Sequence, residues 1–380
     1  MIAAGLALVV AIGLLQALAG WIALRRFCRQ APPPTPARPA ITVLKPLHGD
    51  EPLLEAALAS LCALEHPGLQ IICGVQNPAD PALGVLARLK SRFPAADLAV
   101  VVDATAHGAN RKVANLLNML PAANHGLLVI ADSDVHVLPG YLDAIAATLA
   151  LPGCGLVTML YTGRPATRTT AALLGTAWIN HVFLPGALLA RALGRQDCLG
   201  ATMALTRETL TAIGGLEAVS EEIADDQWLG RLVRRAGLDV RLAPAIVATT
   251  VPETTLDELW RHELRWGRTI RALEPVGFAL SCLQHPLAWA LLAVPLSGFA
   301  AWSLAVFLLA WALRAFAARR IDAELAAMHE TLATRVPIWL LPLRDLLSMT
   351  VLLASHAGRR VEWRGHIMQT APPSSGIPPR

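Results

Sequence analysis

The sequence predicts an α/β domain held between membrane-spanning helices, and three observations support that fold class. The chain has 380 residues, of which 54% are hydrophobic and 16% charged, against about 25% charged in an ordinary soluble domain. The apolar residues concentrate near the two ends of the chain. Between these ends, short β-rich segments alternate with helical patterns, which is too much polar sequence for an all-helical membrane bundle.

Charge and cysteine content exclude further classes of protein. The 32 basic and 28 acidic residues give a net charge of +4, far short of a nucleic-acid-binding polycation. The six cysteines are scattered, with no C-x-x-C pair and no histidine at metal-ligand spacing. We therefore expect no nucleic-acid partner, no structural zinc and no disulfide framework, and instead reduced thiols in a cytosolic domain.

Residues 1–24 are predicted to form a transmembrane anchor. Ile2–Leu24 has Gln16 as its one clearly polar interruption, and a spanning helix needs about 20 apolar residues. A cleaved signal peptide is the alternative, but the length and the lack of preceding charges favour an anchor. Residues 25–40 then read as a proline-rich linker. By the positive-inside rule, three arginines place this linker in the cytoplasm: Arg25, Arg26 and Arg29.

Residues 274–356 are predicted to hold the C-terminal membrane spans. One helix over this apolar region would overshoot the bilayer, and Pro295, with the serine and glycine that follow it, offers a break. Spans are expected near Ala279–Leu296, Gly298–Leu313 and Val336–Ala354. Arg344 and Asp345 in the last segment should lie at an interface or pair inside the bundle, and a short interfacial helix is the alternative.

Residues 357–380 are predicted to form a cytoplasmic tail, because Arg359, Arg360 and Arg364 follow the positive-inside rule. Four full spans would leave that tail outside, so one C-terminal segment is expected to be re-entrant. We therefore expect a multi-pass protein of the inner membrane whose central domain faces the cytoplasm.

Residues 41–254 are predicted to form the α/β domain. Continuous apolar strands separated by helices indicate a largely parallel sheet that is covered on both faces. The strands expected are Ile41–Lys45, Leu69–Gln76, Leu98–Val102, Leu127–Asp132 and Leu156–Leu160. Ligands bind such sheets at the carboxyl ends of the strands, so the polar residues that follow each strand are the candidates for a site.

Acidic residues follow three of these strands, and Asp103 comes directly after the third. Asp80 comes after the second predicted strand, and Asp132 and Asp134 come after the fourth. Two carboxylates one residue apart at a strand end can face the same side and hold a hard divalent cation, Mg²⁺ or Mn²⁺, together with diphosphate oxygens. The alternative is an ordinary turn, in which aspartate and serine are common.

A second acidic run, Glu221–Asp226, precedes a helical pattern. Its last residues could simply cap that helix. One of the carboxylates could instead be a general base for an acceptor hydroxyl. Composition alone leaves these two interpretations open.

Residues 255–273 are predicted to form an amphipathic interfacial helix. Leu256, Leu259 and Leu264 recur at helical spacing, and arginines and tryptophans cover the other faces. An ordinary juxtamembrane helix with positive-inside arginines is the alternative. On the functional interpretation, Arg265 and Trp266 face the active site and serve the phosphate and the acceptor.

Taken together, these motifs resemble the ceramide glucosyltransferase family of membrane glycosyltransferases, which share the GT-A fold. The resemblance extends from the anchor to Trp363-Arg364. It rests on VLKPLHG from Val43, VQNPADPA with Asp80, ADSDVHV with Asp132, IADDQW with Asp226, and HELRW from His262. Bacterial members include ceramide glycosylating enzymes and enzymes that add N-acetylglucosamine to a hopanoid polyol, and this chain looks more like the hopanoid type.

The resemblance implies a role for each matching residue. Asp226 is implied to be the catalytic base, and Asp80, Asp132, Lys112 and Asn115 are implied to bind the nucleotide of a UDP-sugar donor. His262 stands where the family has glutamine or arginine, so it, Arg265 and Trp266 are assigned to the diphosphate or the acceptor. Asp134 completes a D-x-D that the animal enzymes lack, which favours a Mg²⁺ or Mn²⁺ site.

The expected function is an inverting membrane hexosyltransferase that moves one sugar from a UDP-sugar to a lipid hydroxyl. The lipid is a hopanoid polyol or a ceramide. Two alternatives remain from the sequence. One is a processive polysaccharide synthase, which needs more spans than the chain offers. The other is a non-catalytic membrane scaffold or transport subunit.

Overall fold

The structure is a computed structural model that describes residues 2–31, 33–34, 38–358, 360–363 and 366–369. Two compact units divide the chain. The sheet unit comprises Phe27–Ala166 and Arg191–Pro252, and the helical unit comprises Met1–Arg26, Thr167–Ala190 and Glu253–Arg380.

The helices and strands, in chain order, have the following bounds. The α-helices are α1 Ile2–Phe27, α2 Leu54–Cys62, α3 Ala82–Arg92, α4 Arg111–Met119, α5 Tyr141–Leu149, α6 Thr170–Trp178, α7 Leu184–Ala192, α8 Arg207–Ala212, α9 Asp225–Arg235, α10 Leu256–Leu273, α11 Pro275–Leu280, α12 Pro286–Leu296, α13 Ala301–Met328 and α14 Leu340–Ser355. The strands are β1 Ile41–Pro46, β2 Leu69–Val75, β3 Asp97–Val102, β4 Leu127–Ala131, β5 Val135–His136, β6 Cys154–Pro165, β7 Thr202–Thr206, β8 Asp239–Val251, β9 Arg360–Trp363 and β10 His366–Gln369.

The sheet unit contains one eight-stranded sheet in the order β3-β2-β1-β4-β7-β6-β8-β5. Its first four strands are parallel, as the sequence predicted. The second half is mixed, because β7 runs antiparallel to both β4 and β6, and β5 runs antiparallel to β8. The expectation of a largely parallel sheet is therefore corrected to a mixed one. The three additional strands are short or half-buried, so they lack the continuous apolar run that identified the others.

Side chains alternate across the sheet and so build a core on each face. Val43 and Ile71 point into the layer beneath α2, α3 and α5, whereas their neighbours Leu44 and Ile72 point into the layer beneath α4 and α9. All four are at most 1% exposed. This two-sided burial explains why the central strands read as unbroken apolar runs in the sequence.

The helical unit holds the segments that are long and apolar enough to cross a membrane. Among the described residues these are Gly5–Phe27, Thr170–Ala192 and Ala301–Met328, and the pair Pro275–Gln284 and Pro286–Leu296 adds a fourth if its 66° bend lies within one span. The bend falls at His285, because a residue before proline is disfavoured in helical geometry. Thr170–Ala192 is a candidate that the sequence analysis had placed inside the α/β domain.

Two charged residues of α14 are paired inside the helical unit. Arg344 is fully buried and donates to both carboxylate oxygens of Glu263 in α10, at 2.6 and 2.7 Å. Asp345 accepts from the backbone N–H of Leu287 at 3.0 Å, at the start of α12. Of the two expected outcomes, an interface position or pairing inside the bundle, the structure shows both residues buried and hydrogen-bonded within the helical unit. With 16 residues, α14 is about 24 Å long, short of the roughly 30 Å hydrocarbon core.

The sequence analysis also made predictions for the cysteines and for the C-terminal tail. All six cysteines are free. Of the tail motif, Trp363 ends β9, whereas Arg364 and Arg359 lie outside the described residues.

Candidate active site

The loop after β1 contacts two segments with predicted site residues, Asp80 and the Asp132-Ser133-Asp134 step. The backbone N–H of Gly49 donates to both carboxylate oxygens of Asp80, at 2.9 and 3.1 Å, and the N–H of Ala82 donates to the same carboxylate at 2.9 Å. Two residues further along the loop, Glu51 accepts a hydrogen bond from the hydroxyl of Ser133. Because β1 lies between β2 and β4, this one loop joins Asp80 to the Asp132-Ser133-Asp134 step.

Lys112 connects the acidic residue after β4 to the acidic start of α9. Its ammonium lies 2.8 Å from Oδ1 of Asp132 and 3.2 Å from Oδ2 of Asp225. Burial alone would lower the pKa of Lys112, but the carboxylates of Asp132 and Asp225 outweigh it and raise that pKa above its ordinary range. Lys112 therefore stays a cation and neutralises a cluster of carboxylates.

Asn110 explains how the chain holds Lys112 there. Its side-chain oxygen caps α4 by accepting from the N–H of Lys112 at 3.0 Å and of Val113 at 3.2 Å. Its amide donates to the carbonyl of Glu222 at 2.7 Å. One buried asparagine, 1% exposed, thus fixes both the start of α4 and the segment that leads into α9.

Asp226 lies in the first turn of α9, where its Oδ1 accepts from the N–H of Gln227 at 2.8 Å. Desolvation, together with the charge of neighbouring Asp225, raises the pKa of Asp226 to about 7, and Lys112 acts in the opposite direction. A methyl group on Gly200 would lie 2.9 Å from Oδ2 of Asp226, so only glycine leaves this carboxylate its position. A carboxylate with a pKa near neutrality is suited to general-base catalysis.

Asp134 is the last residue of the acidic step Asp132-Ser133-Asp134. Its carboxylate accepts from the hydroxyl of Thr249 in β8, and its carbonyl accepts from the N–H of Thr250 at 3.1 Å. Desolvation and the charge of Asp132 raise the pKa of Asp134 to about 6. Beneath the step, the buried ammonium of Lys45 donates to the carbonyls of Asp132 at 2.6 Å and Val135 at 3.2 Å. Burial lowers the pKa of Lys45 to about 8.

The donor atoms at this step fit a hard divalent cation. Asp132 and Asp134 offer carboxylate oxygens, the ligands that Mg²⁺ and Mn²⁺ prefer. The mutual repulsion that raises the pKa of Asp134 is the kind that a cation relieves. Within the described residues, no group of three or more histidine, cysteine or acidic side chains is placed to hold a metal. The protein would thus supply two ligands, and a bound diphosphate could supply others.

Asn115 has a different environment from the other predicted donor-binding residues. It is 4% exposed, and its amide donates to the carbonyl of Gly74 in β2 at 2.8 Å. Its role toward the nucleotide stays a prediction. The observed contact ties α4 to the sheet and so supports the helix that carries Lys112.

The remaining predicted site residues, His262, Arg265 and Trp266, all lie on α10 in the helical unit. The imidazole Nδ1 of His262 hydrogen-bonds the carboxylate of Glu253, and its ring packs edge-on against Trp266, with 4.2 Å between ring centroids. Trp266 in turn packs against Trp178, at 5.2 Å. Spacings of three and four residues put His262, Arg265 and Trp266 on one face of the helix.

Several residues of these environments had no role assigned from the sequence, and five of them bear most on the site. Two had a visible signal: Asp225 adjoins the predicted base, and Asn110 stands directly before a helical pattern, as a capping residue does. The others depend on contacts between distant segments, which no local pattern reveals: Lys45, Gly200 and Glu253.

An α/β sheet with an acidic cluster at its strand ends, in a chain with long apolar helices, defines the class as a membrane-associated α/β protein. A family model described as glycosyl transferase family 21 matches residues 5–374, and the chain belongs to that family. The resemblance to ceramide glucosyltransferases is thereby confirmed. Together with the sheet, it confirms the predicted class, a GT-A-like α/β domain with N-terminal and C-terminal membrane helices.

Among curated relatives, ceramide glucosyltransferase 1 of Caenorhabditis elegans is 22% identical over 256 residues, which are 66% of this chain and 54% of the relative. The ceramide glucosyltransferase of Komagataella phaffii is 31% identical over 126 residues, 32% of this chain and 25% of the relative. The chain thus spans about half the length of the first relative and a quarter of the second.

Similar solved structures include a mannosyltransferase, PcManGT from Pyrobaculum calidifontis, in complex with GDP-Man and Mn²⁺. It has a TM-score of 0.48 and 18% identity, over 92% of this chain and 99% of that one. A structure of GalNAc-T7 with UDP, GalNAc and Mn²⁺ has a TM-score of 0.42 and 11% identity, over 64% and 52% of the two chains.

Proposed function

We propose that this protein is an inverting membrane hexosyltransferase that moves one sugar from a UDP-sugar to a hydroxyl of a membrane lipid. The acceptor is a hopanoid polyol, which receives N-acetylglucosamine, or a ceramide, which receives glucose. The protein lies in the inner membrane with its sheet unit facing the cytoplasm, where nucleotide sugars are available. Family membership supports the reaction class.

The observation that carries the proposal is the ion cluster in which Lys112 bridges Asp132 and Asp225. It brings the acidic step after β4 together with the start of α9, which are 93 residues apart in the chain. An ordinary strand-end turn and an ordinary helix cap do not require a shared, largely buried cation. A site for a charged nucleotide beside a general base accounts for both acidic segments at once.

In the proposed reaction, Asp226 accepts the proton of the lipid hydroxyl as the hydroxyl oxygen attacks the anomeric carbon. The bond from that carbon to the diphosphate oxygen breaks, and UDP leaves from the opposite face. The partial neutralisation of the site by Lys112 lowers the cost of bringing in a diphosphate. Asp80, held by the backbone N–H of Gly49, is assigned to the uridine or its ribose.

Asp132 and Asp134 would hold the Mg²⁺ or Mn²⁺ ion. When bound, such a cation stabilises the negative charge that develops on a departing diphosphate. Arg265 is assigned to the same phosphate charge from α10.

The helical unit supports a lipid acceptor. A lipid hydroxyl lies at the headgroup level, and an enzyme tethered to the membrane can reach it without extracting the lipid. The candidate spans Gly5–Phe27 and Ala301–Met328, together with the tryptophan-bearing α10, meet that requirement.

A turnover assay on the full-length protein in lipid nanodiscs tests the proposal. UDP release is measured after mixing with a UDP-sugar, a divalent cation and either a ceramide or a hopanoid polyol. The expected result is UDP release that requires the lipid and yields a lipid heavier by one sugar in mass spectrometry. The absence of turnover with both lipids would contradict the proposal, and a ladder of added sugars would favour a processive synthase instead.

Lipid profiles of cells with and without the protein identify the natural sugar and acceptor together. The expected difference is the loss of one class of singly glycosylated lipid, with accumulation of its unglycosylated precursor. An unchanged lipid profile in cells that lack this protein would support the non-catalytic alternative.

A further inference from the structure

A cavity of about 440 Å³ lies beside the last third of α13, in the helical unit. Its lining residues come from that helix and from the segment that follows it: Arg319, Asp322, Ala323, Ala326, Ala333 and Arg335. The three alanines keep the cavity open, because larger side chains at these positions would fill it. The two arginines give it positive charge, and no step of the proposed reaction uses either of them.

The cavity begins where the apolar part of α13 ends. Ala301–Ala318 contains one charged residue, Arg314, which is buried and donates to the carbonyl of His181 at 3.1 Å. This stretch is about 27 Å long at 1.5 Å per residue, close to the roughly 30 Å of a bilayer's hydrocarbon core. When α13 crosses a membrane, the next residue, Arg319, therefore lies at the level of the lipid headgroups.

Contacts with α1 indicate which membrane surface the cavity faces. The ring of Trp21 packs edge-on against Phe316, and the guanidinium of Arg320 lies over the same ring, at 5.3 Å from its centroid. One turn further along α1, Arg25 pairs with Glu324 at 3.7 Å. The C-terminal ends of α1 and α13 therefore lie at the same surface. Because α1 leads into the linker that the positive-inside rule places in the cytoplasm, we assign the cavity to the cytoplasmic leaflet.

A buried carboxylate holds one of the two arginines in place. Asp322 is 5% exposed, its Oδ1 lies 2.7 Å from Nε2 of His181, and its Oδ2 lies 3.6 Å from Nη1 of Arg319. The side chain of Arg319 is still 44% exposed, so it can contact a ligand while it pairs with Asp322. Arg335 is exposed as well. Two arginines and one carboxylate leave the lining with one net positive charge.

We propose that this cavity binds the headgroup of an anionic phospholipid, with Arg319 and Arg335 on the phosphate and the alanines against the glycerol. A guanidinium matches the geometry of a phosphate, and basic pockets beside membrane helices bind anionic headgroups. One phosphodiester charge balances the net charge of the lining. Ceramides and hopanoid polyols carry no phosphate, so this lipid is distinct from the proposed acceptor. Binding is non-covalent, and no group is transferred.

Native mass spectrometry of the full-length protein in detergent tests the proposal, with phosphatidylglycerol as the probe. Diacylglycerol with the same acyl chains lacks the phosphate, and glycerophosphoglycerol has the same headgroup without acyl chains. We expect phosphatidylglycerol to bind at least about tenfold more tightly than either compound, because charged hydrogen bonds and apolar contacts both contribute. Equal binding of diacylglycerol would mean that the phosphate is not recognised. Equal binding of glycerophosphoglycerol would mean that the cavity takes a soluble anion, and either result would overturn the proposal.

Single substitutions locate the binding in the cavity. Arg319→Gln and Arg335→Gln should each weaken phosphatidylglycerol binding by about tenfold, since each removes a charged hydrogen-bond donor. The matched control is Arg320→Gln, which removes the same charge from the adjacent residue, whose guanidinium lies over Trp21. The control should bind phosphatidylglycerol as the wild type does. An equal loss in all three variants would mean that general surface charge attracts the lipid, and unchanged binding in both cavity variants would equally overturn the proposal.

Thermal unfolding in detergent gives a second measurement. Without added lipid, we expect Arg319→Gln, Arg335→Gln and Arg320→Gln to unfold at similar temperatures, because none of these arginines is fully buried. Added phosphatidylglycerol should raise the midpoint of the wild type and of Arg320→Gln, since a ligand that binds only the folded state stabilises it. An equal rise in the two cavity variants would contradict the proposal. UDP release plays no part in these measurements, so their result does not depend on the proposed function.

Discussion

At the scale of single residues, the site depends on charges that oppose one another at short range. Asp226 has its pKa raised toward neutrality by desolvation and by Asp225, while Lys112 prevents the shift from going further. The pKa of Asp226 therefore depends on the same lysine that contacts Asp132 and Asp225. Three substitutions separate these effects.

Asp226→Asn should lower kcat by at least about 10²-fold, the smaller end of what general-base assistance contributes. Donor affinity should change little, because the amide keeps the shape of the side chain and the N–H contact from Gln227. Turnover is measured by UDP release and donor affinity by calorimetry. Near-normal turnover in this variant would remove Asp226 from the base role.

The activity should fall at acid pH, because a base must be unprotonated to accept a proton. With the pKa of Asp226 raised to about 7, kcat/KM should decrease as the pH falls below that value. Lys112 favours the charged carboxylate, so Lys112→Met should raise this pKa and move the acidic limb upward by about one pH unit. A pH–rate profile at low donor concentration checks this shift. A limb that stays in place would show that Asp226 does not control it.

Gly200→Ala should impair catalysis without unfolding the protein. The added methyl group would lie 2.9 Å from a carboxylate oxygen of Asp226, and a side-chain end can move away more easily than the backbone. We expect kcat to fall by about tenfold or more, since a displaced base loses its alignment, with an unchanged thermal unfolding midpoint. The control is Gly126→Ala, where a methyl group would meet open space.

At the scale of secondary-structure elements, α14 shows how charged residues are held within a hydrophobic unit. Arg344 makes two hydrogen bonds to Glu263 and also donates to the hydroxyl of Ser348 and to the carbonyl of Leu174. These contacts join α14 to α10 and α6. Since α10 also carries the predicted ligand-binding residues, this network fixes the helix on which they lie.

Breaking this buried pair should destabilise the protein strongly. Glu263→Gln leaves the guanidinium of Arg344 buried without its countercharge, which costs about 3–5 kcal/mol. Replacing both residues by apolar side chains, Glu263→Leu with Arg344→Met, should restore most of the stability. Unfolding in detergent micelles measures both effects. If the single and double variants unfold alike, the pair does not contribute as an ion pair.

At the scale of the whole molecule, the chain interleaves its two units: Thr167–Ala190 belongs to the helical unit, but in the sequence it follows β6 and precedes β7 of the sheet unit. The two units are therefore not separable by a single cut in the sequence. Experiments on this protein need the full chain.

Removal of divalent metal should weaken donor binding by the whole protein. Treatment with EDTA is expected to weaken UDP-sugar affinity by at least about tenfold, because a diphosphate brought beside Asp132 and Asp134 would meet uncompensated negative charge. Asp132→Ala should show the same weak affinity whether or not metal is added. Donor affinity that is unchanged by EDTA in the wild-type protein would contradict the metal assignment.

The sequence by itself predicted the parallel half of the sheet, the anchor and the acidic strand ends, because each has a signature in neighbouring residues of the chain. Unbroken apolar runs identified Ile41–Pro46 and Leu127–Ala131, which are buried on both faces. Polar residues directly after such strands identified Asp80 and Asp132 as site candidates. Periodicity and adjacency along the chain are sufficient for these features.

Only the tertiary structure decided which distant groups meet. Several features join segments that share no local pattern. They are the antiparallel insertion of β7, the bridge from Lys112 to Asp225, the close approach of Asp226 to Gly200 and the pairing of Glu253 with His262. Burial removes water from such groups, and their charges then interact strongly enough to set pKa values and positions. That electrostatic environment forms only when the chain folds, which is why several of its residues could be named from the sequence but their interactions could not.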